Sequence, residues 1–196
     1  MRQYYDVRAD EYDEWWQDEG RFTARERPGW HEDVSAVCAA VAALPPARTL
    51  DLACGTGFLT AHLRGEVTGL DQSPRMLEVA RARLGGAELV QGDALAPPFG
   101  PGSFERVFTG HFYGHLDEAQ RAEFVRVARE LADELVVVDS AARPDRADEE
   151  WEERVLNDGS RHAIYKRRFT AEALAAELGG GETVHAGPWF VAVRTG

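Results

Sequence analysis

The sequence predicts an α/β protein, a mostly parallel sheet wound with helices on both faces and preceded by an aromatic helical segment. Three observations carry this. Apolar runs of strand length alternate with amphipathic runs of helix length through the middle of the chain, and parallel neighbours need crossovers of that kind. A glycine-rich turn, ACGTG, follows the first of the apolar runs. The last two, ETVHAG and WFVAVR, flank Gly187-Pro188 and read as an antiparallel hairpin.

The 196 residues suit one domain with a full core. Its expected parts are an N-terminal aromatic segment (1–30), a core (31–140), an insertion (141–168) and a last helix with the closing hairpin (169–196). In the opening stretch MRQYYDVRADEYDEWW, helical spacing puts Tyr5, Tyr12 and Trp16 near one face with Arg8 beside them. Asp6, Asp10, Asp13 and Glu14 leave the other side acidic. A polar loop, GRFTARERPGW, leads to the helix WHEDVSAVCAAVAAL, which Pro45-Pro46 stops. Then come strand RTLDLA, helix TGFLTAHLR, strand EVTGLD, and helix SPRMLEVARARL with Ser73 as N-cap and Pro74 in the first turn. Strands AELVQGD and FERVFTG follow. Asp117 and Gln120 open the helix DEAQRAEFVRVAREL as a capping pair, and ELVVVDS is a strand apolar on both faces. The helix FTAEALAAEL ends at three glycines, Gly179 to Gly181.

Composition is 44% hydrophobic and 29% charged, with no apolar run of membrane-spanning length and no basic-then-apolar leader. A cytoplasmic location is the expectation. The formal charge of -12 works against binding to phosphate backbones. Only RHAIYKRR, Arg161 to Arg168, is locally basic, and it reads as a solvated strand or loop rather than an anion site. Cys38 and Cys54 make neither a disulfide framework nor a metal pair. The abundance of Ala, Arg and Gly suggests a high-GC bacterial genome.

Chemistry concentrates where strands end. In TLDLACGTGF a strand enters a Gly-x-Gly turn whose backbone can approach a ligand closely. Asp51, Asp71 and Asp93 stand at or near the C-terminal ends of three successive strands, outside which ligands of open α/β sheets bind. A nicotinamide dinucleotide asks for a third glycine where Thr60 stands, and its pyrophosphate would meet the Asp51 carboxylate. A ligand with an ammonium group at one end, a ribose and a purine suits the three acids better.

These residues resemble the class I S-adenosylmethionine-dependent methyltransferases, and more narrowly the small-molecule methyltransferases of ubiquinone and menaquinone biosynthesis type. Asp51-Leu52-Ala53-Cys54-Gly55-Thr56-Gly57 is similar to that family's first motif, with Ala53 where its first glycine falls. The resemblance implies a Rossmann-like seven-stranded sheet of order 3-2-1-4-5-7-6 with the seventh strand antiparallel, and S-adenosylmethionine as cofactor. It implies that Asp51, Ala53, Gly55 and Gly57 surround the methionine end, Asp71 with Gln72 the ribose, and Met76, Asp93 and Ala94 the adenine. Thr109 at the end of the fourth strand joins this set. The segment Thr109-Gly110-His111-Phe112-Tyr113-Gly114-His115 faces the transferred methyl, with His111 or His115 as general base or as positioning group and Tyr113 toward the substrate. The aromatic N-terminus becomes a lid, Tyr12 nearest the cofactor and Trp15 and Trp16 nearer the acceptor. The acceptor is a small molecule whose nucleophile is oxygen, nitrogen or carbon, and Arg161, His162 and Tyr165 of the insertion leave anionic and phenolic classes both open. The competing readings are a non-catalytic module that only holds the cofactor or its product, and a nicotinamide-dependent oxidoreductase.

Overall fold

A computed structural model describes residues 2–23 and 26–196. Met1, and Ala24 and Arg25 of the expected loop, lie outside the described residues. The strands are β1 (Thr49–Leu52), β2 (Val67–Asp71), β3 (Glu88–Gln91), β4 (Arg106–Gly110), β5 (Glu134–Ser140), β6 (Glu149–Val155), β7 (Arg161–Arg167), β8 (Glu182–Ala186) and β9 (Phe190–Thr195). The helices are α1 (Arg2–Arg8), α2 (Glu14–Gln17), α3 (Trp30–Ala43), α4 (Pro74–Leu84), α5 (Glu118–Leu131) and α6 (Ala171–Glu177).

Seven strands form one sheet in the order β3-β2-β1-β4-β5-β9-β8, with β9 antiparallel to both of its neighbours. This is the expected Rossmann-like order. Alternation along β5 shows how the sheet divides two cores: Leu135 and Val137 pack with Phe124, Val127 and Leu131 of α5 and Leu174 of α6. Val136 and Val138 pack on the other face with Val37 and Val41 of α3 and with Trp16, Trp30 and Phe190.

Local signals act where they were read. The Ser73 hydroxyl accepts the Met76 N–H at 3.1 Å, and Asp117 and Gln120 cap α5 reciprocally at 2.9 and 3.0 Å. The helix expected at TGFLTAHLR does not form, and that stretch holds only a 3-10 turn, Thr60–His62. Gly57 is left-handed at φ +76° before this turn and Leu63 is extended after it, so only the short stretch between them keeps helical backbone.

The insertion folds as an antiparallel hairpin, β6 with β7. The N-terminal segment lies between this hairpin and the main sheet. It is not one amphipathic helix but α1, a 3-10 turn at Ala9–Glu11 and the short α2, ended by Asp18 at φ +58°. The face read as free acid is a row of ties. Asp6 accepts from the Ser73 hydroxyl at 2.6 Å, Asp10 pairs with Arg75 at 3.0 Å, and Asp13 accepts from Thr56 at 2.7 Å and pairs with Arg83 at 2.5 Å. On the other side Asn157, in the β6–β7 turn, donates its backbone N–H to Glu11 at 2.7 Å and its amide to Glu14 at 3.0 Å.

Candidate functional site

The turn after β1 holds Ala53, Gly55 and Gly57 all in the left-handed region, at φ +63°, +56° and +76°. Ala53 takes that conformation without glycine's freedom, at a cost of about 1 kcal/mol or more. A narrow pocket of 60 Å³ opens beside this turn, lined by Ala53, Gly55, Asp71, Met76, Asp93 and Ala94 among others and roofed by Tyr5 and Tyr12. Asp71 accepts the Gly55 N–H at 2.9 Å and the Ser73 N–H at 2.8 Å. Burial pushes its carboxyl up, and these two N–H groups hold it back in part.

Beneath the turn Asp51 is 2% exposed, and its Oδ1 has no hydrogen-bond partner. Burial pushes its carboxyl up to about 7, with the Asp71 charge adding to the rise and the Thr60 hydroxyl opposing it. Burial between the same two acids pushes the Cys54 thiol up, so it stays unreactive.

On the other side of the N-terminal segment lies a wider cleft of 660 Å³, whose lining includes Arg8, Trp15, Trp30, His115, Arg154 and Lys166. Tyr12 and His111 line both cavities. His111 is itself left-handed, at φ +58°, and its ring meets Trp15, Trp16 and Phe190 edge to face at centroid distances of 4.9, 4.9 and 5.3 Å. Burial lowers its pKa to about 3 against the opposing charge of Asp139, and Lys166, Arg154 and Arg8 lower it further. His115 is lowered well below its usual range by burial and by Lys166 and Arg154. Its Nδ1 lies 2.7 Å from the Tyr165 carbonyl, which can only accept, so the proton of the neutral ring sits on Nδ1. Behind them Asp139 is fully buried and bonds Lys166 at 2.5 Å. Burial raises its carboxyl, but Lys166 outweighs this and holds it at about 2.

Of the residues singled out in the sequence, Tyr12, Ala53, Gly55, Asp71, Gln72, Met76, Asp93 and Ala94 come together around the narrow pocket. Trp15, His111 and His115 line the cleft. Five fall elsewhere, the first being Asp51, which is buried beneath the turn and is among the lining residues of neither cavity. Thr109 is fully buried and donates its hydroxyl to the Leu52 carbonyl at 2.7 Å, clamping β4 to β1. Gly57 serves the turn, because a Cβ there would press on Leu84 at 3.0 Å. Trp16 is 3% exposed and stacks between Phe58 and Phe190, so it belongs to the core. Tyr113 turns away toward Glu177, its hydroxyl 3.4 Å from the carboxylate, in a separate cavity beyond β7. Sequence reasoning missed Lys166. The signal was present: in β7 Ile164 and Lys166 are two apart and both buried, so they share the inward face.

Residues 49–134 match the family described as methyltransferase domain. That match covers somewhat less than half of the 196 residues. Curated relatives of this domain include the demethylmenaquinone methyltransferase of Thermotoga maritima, 37% identical over 81 residues, covering 39% of this chain and 35% of that protein. The enzyme of the same name from Lactococcus lactis subsp. lactis is 45% identical over 73 residues, 32% of this chain and 29% of that one. The chain thus spans about a third of the length of the curated relatives it matches. Among solved structures, the DhpI–SAM–HEP complex matches with a TM-score of 0.76 and 26% identity over 98% of this chain and 94% of that one. A SAM-dependent methyltransferase of Thermotoga maritima, described as a possible histamine N-methyltransferase, matches at 0.68 and 20% identity over 100% and 99%. That second likeness speaks for the fold alone.

Proposed function

We propose that the protein is an S-adenosylmethionine-dependent methyltransferase acting on a small molecule in the cytoplasm. One observation carries the reading: the narrow pocket beside the glycine turn and the wide cleft share Tyr12 and His111 as lining, so the two cavities adjoin at these side chains. The matched domain and the neighbour named as a SAM complex support it.

The residues present fit the cofactor. Asp51 keeps a buried carboxylate oxygen unpaired, which suits an ammonium group. Asp71 retains lone pairs for ribose hydroxyls after accepting two backbone N–H groups. A Cβ built on Gly55 meets nothing within 4 Å, so the turn leaves room on that side. Met76, Asp93 and Ala94 would border the adenine. When bound, the cofactor supplies an electrophilic methyl group on a sulfonium to a nucleophile placed in line with it.

The chain's own residues would then position and enclose. Tyr5 and Tyr12 roof a pocket of only 60 Å³, so the N-terminal segment must lift to admit a nucleoside and return to exclude water. Arg8 lies over the Tyr12 ring at 4.7 Å and fixes that ring's attitude at the seam. A base with a pKa near 3 takes a proton with little driving force at neutral pH, so the lowered values favour positioning over general-base catalysis for His111 and His115. Orientation of this kind is worth roughly 7–11 kcal/mol in well-aligned cases.

Calorimetric titration with S-adenosylhomocysteine and, separately, NAD tests the assignment. One-to-one binding of S-adenosylhomocysteine without NAD binding supports it. The reverse result assigns the pocket to a nicotinamide cofactor.

A further inference from the structure

The formal charge of the chain is -12, yet Arg8 and Lys166, both buried, and the part-buried Arg154 are among the residues lining the cleft. Arg8 is 6% exposed. Its NH1 donates to the Tyr4 hydroxyl at 2.8 Å, and its guanidinium lies over the rings of Tyr4 and Tyr12 at 5.6 and 4.7 Å. Among the described residues no carboxylate stands within ion-pair distance of it. A buried charge left without a counter-charge is costly, and folded proteins normally pair it.

The neighbouring cations do not make up the deficit. Arg154 has Glu152 at 3.2 Å, but Glu152 is also held by Arg168. Lys166 is 4% exposed and paired with Asp139, whose carboxylate also accepts the Gly114 N–H at 2.8 Å. Of the other acids lining the cleft, Asp145 is paired with Arg143, Glu150 with Arg168 and Glu153 with Arg161, Glu11 accepts the Asn157 N–H, and Glu26 is exposed to solvent. What remains is a cavity with an unmatched guanidinium beside Tyr12, one of the two residues at the seam with the narrow pocket.

We infer that the molecule bound in this cleft carries a small oxyanion, of carboxylate or phosphate type, seated between Arg8, Arg154 and Lys166. This rests on the methyltransferase reading for calling that molecule the methyl acceptor, but the anion site itself does not. The planar guanidinium of Arg8 suits a bidentate grip on two oxygens, and the Lys166 ammonium adds a second donor from the hairpin side. The basic stretch of β7, read from sequence as solvated, thereby supplies its one buried ammonium to the site. Because α1 contributes Arg8 and the hairpin contributes Arg154 and Lys166, an oxyanion there would bridge the lid to the insertion. Seating the acceptor and closing the segment become one event.

The test is calorimetry on the full chain saturated with S-adenosylhomocysteine, titrated separately with inorganic phosphate and with acetate at constant ionic strength set by chloride. The expected result is saturation at one site per chain by at least one probe, weakened ten-fold or more in Arg8→Gln and Arg154→Gln. A preference for phosphate over acetate marks a tetrahedral oxyanion, and the reverse a carboxylate. Saturation by neither probe, or undiminished affinity in both variants, overturns the proposal and leaves Arg8 held by the two tyrosines alone. If a variant does not fold, as judged by circular dichroism, the wild-type titration decides. Should S-adenosylhomocysteine fail to bind while a probe saturates the free protein, the anion site stands and the methyltransferase reading falls.

Discussion

Asp13 and Thr56 are joined by a 2.7 Å hydrogen bond that ties the N-terminal segment to the glycine turn, and the second oxygen of the same carboxylate meets Arg83 of α4 at 2.5 Å. One side chain thus fastens the roof to the floor of the narrow pocket. Asp13→Ala removes both ties, and hydrogen bonds to a charged group are worth about 1.5 kcal/mol or somewhat more each in partly buried settings. The expected outcome is an S-adenosylhomocysteine affinity lower by about ten-fold, read by calorimetry, with the melting temperature changed little because the sheet cores are untouched.

Trp16 and Tyr12 are expected to separate stability from binding. Trp16 is 3% exposed between Phe58 and Phe190, so Trp16→Ala should cost about 3–5 kcal/mol in denaturant unfolding. Tyr12 roofs the narrow pocket, and Tyr12→Ala should weaken S-adenosylhomocysteine binding with a smaller loss of stability. Deleting the first sixteen residues is therefore not a clean lid removal, because it also takes Trp16 out of the core.

Asp51 makes the free protein pH-sensitive in a defined direction. Its carboxyl sits near 7 in the fold against 3.8 as the ordinary value, chiefly through burial. Between those values the folded chain holds a proton that the unfolded chain has lost, so this group's contribution to stability falls as pH rises through the window. An ammonium placed beside the carboxylate reverses the preference. Binding of S-adenosylhomocysteine slightly below pH 7 should expel a proton, seen as calorimetric heats that differ between buffers of different ionisation enthalpy. Asp51→Asn should abolish that difference.

His111 holds a left-handed backbone at φ +58° where the chain leaves β4. Asparagine accepts that conformation readily and a β-branched residue does not. Both His111→Asn and His111→Val lose the ring packing against Trp15 and Trp16. The valine variant should be less stable than the asparagine one by a further ~1–2 kcal/mol in denaturant unfolding. Equal stabilities would show that the loop relaxes at no cost.

The sheet and its caps were legible because they are written locally. Apolar runs such as ELVVVDS and pairs such as Asp117 with Gln120 act within a few residues of themselves. What was not legible depends on partners far along the chain. Nothing near Thr60 announces that its hydroxyl will meet Asp51, or that Leu63 will turn extended and cut the expected helix to one 3-10 turn. Asp6, Asp10 and Asp13 look like a solvated face until α4 and the glycine turn bring Ser73, Arg75, Arg83 and Thr56 against them. Trp15 and Trp16 are adjacent and equally aromatic, yet one lines the cleft and the other fills the core, a division that only packing decides.

A crystal structure of the S-adenosylhomocysteine complex tests most directly the claim that two cavities meet at Tyr12 and His111. The account predicts the adenine against Met76 and Asp93, the ammonium toward Asp51, and the sulfur at the seam facing the cleft that Arg8 and Lys166 line. A ligand bound with its sulfur turned away from that cleft, or bound outside the glycine turn altogether, would contradict it.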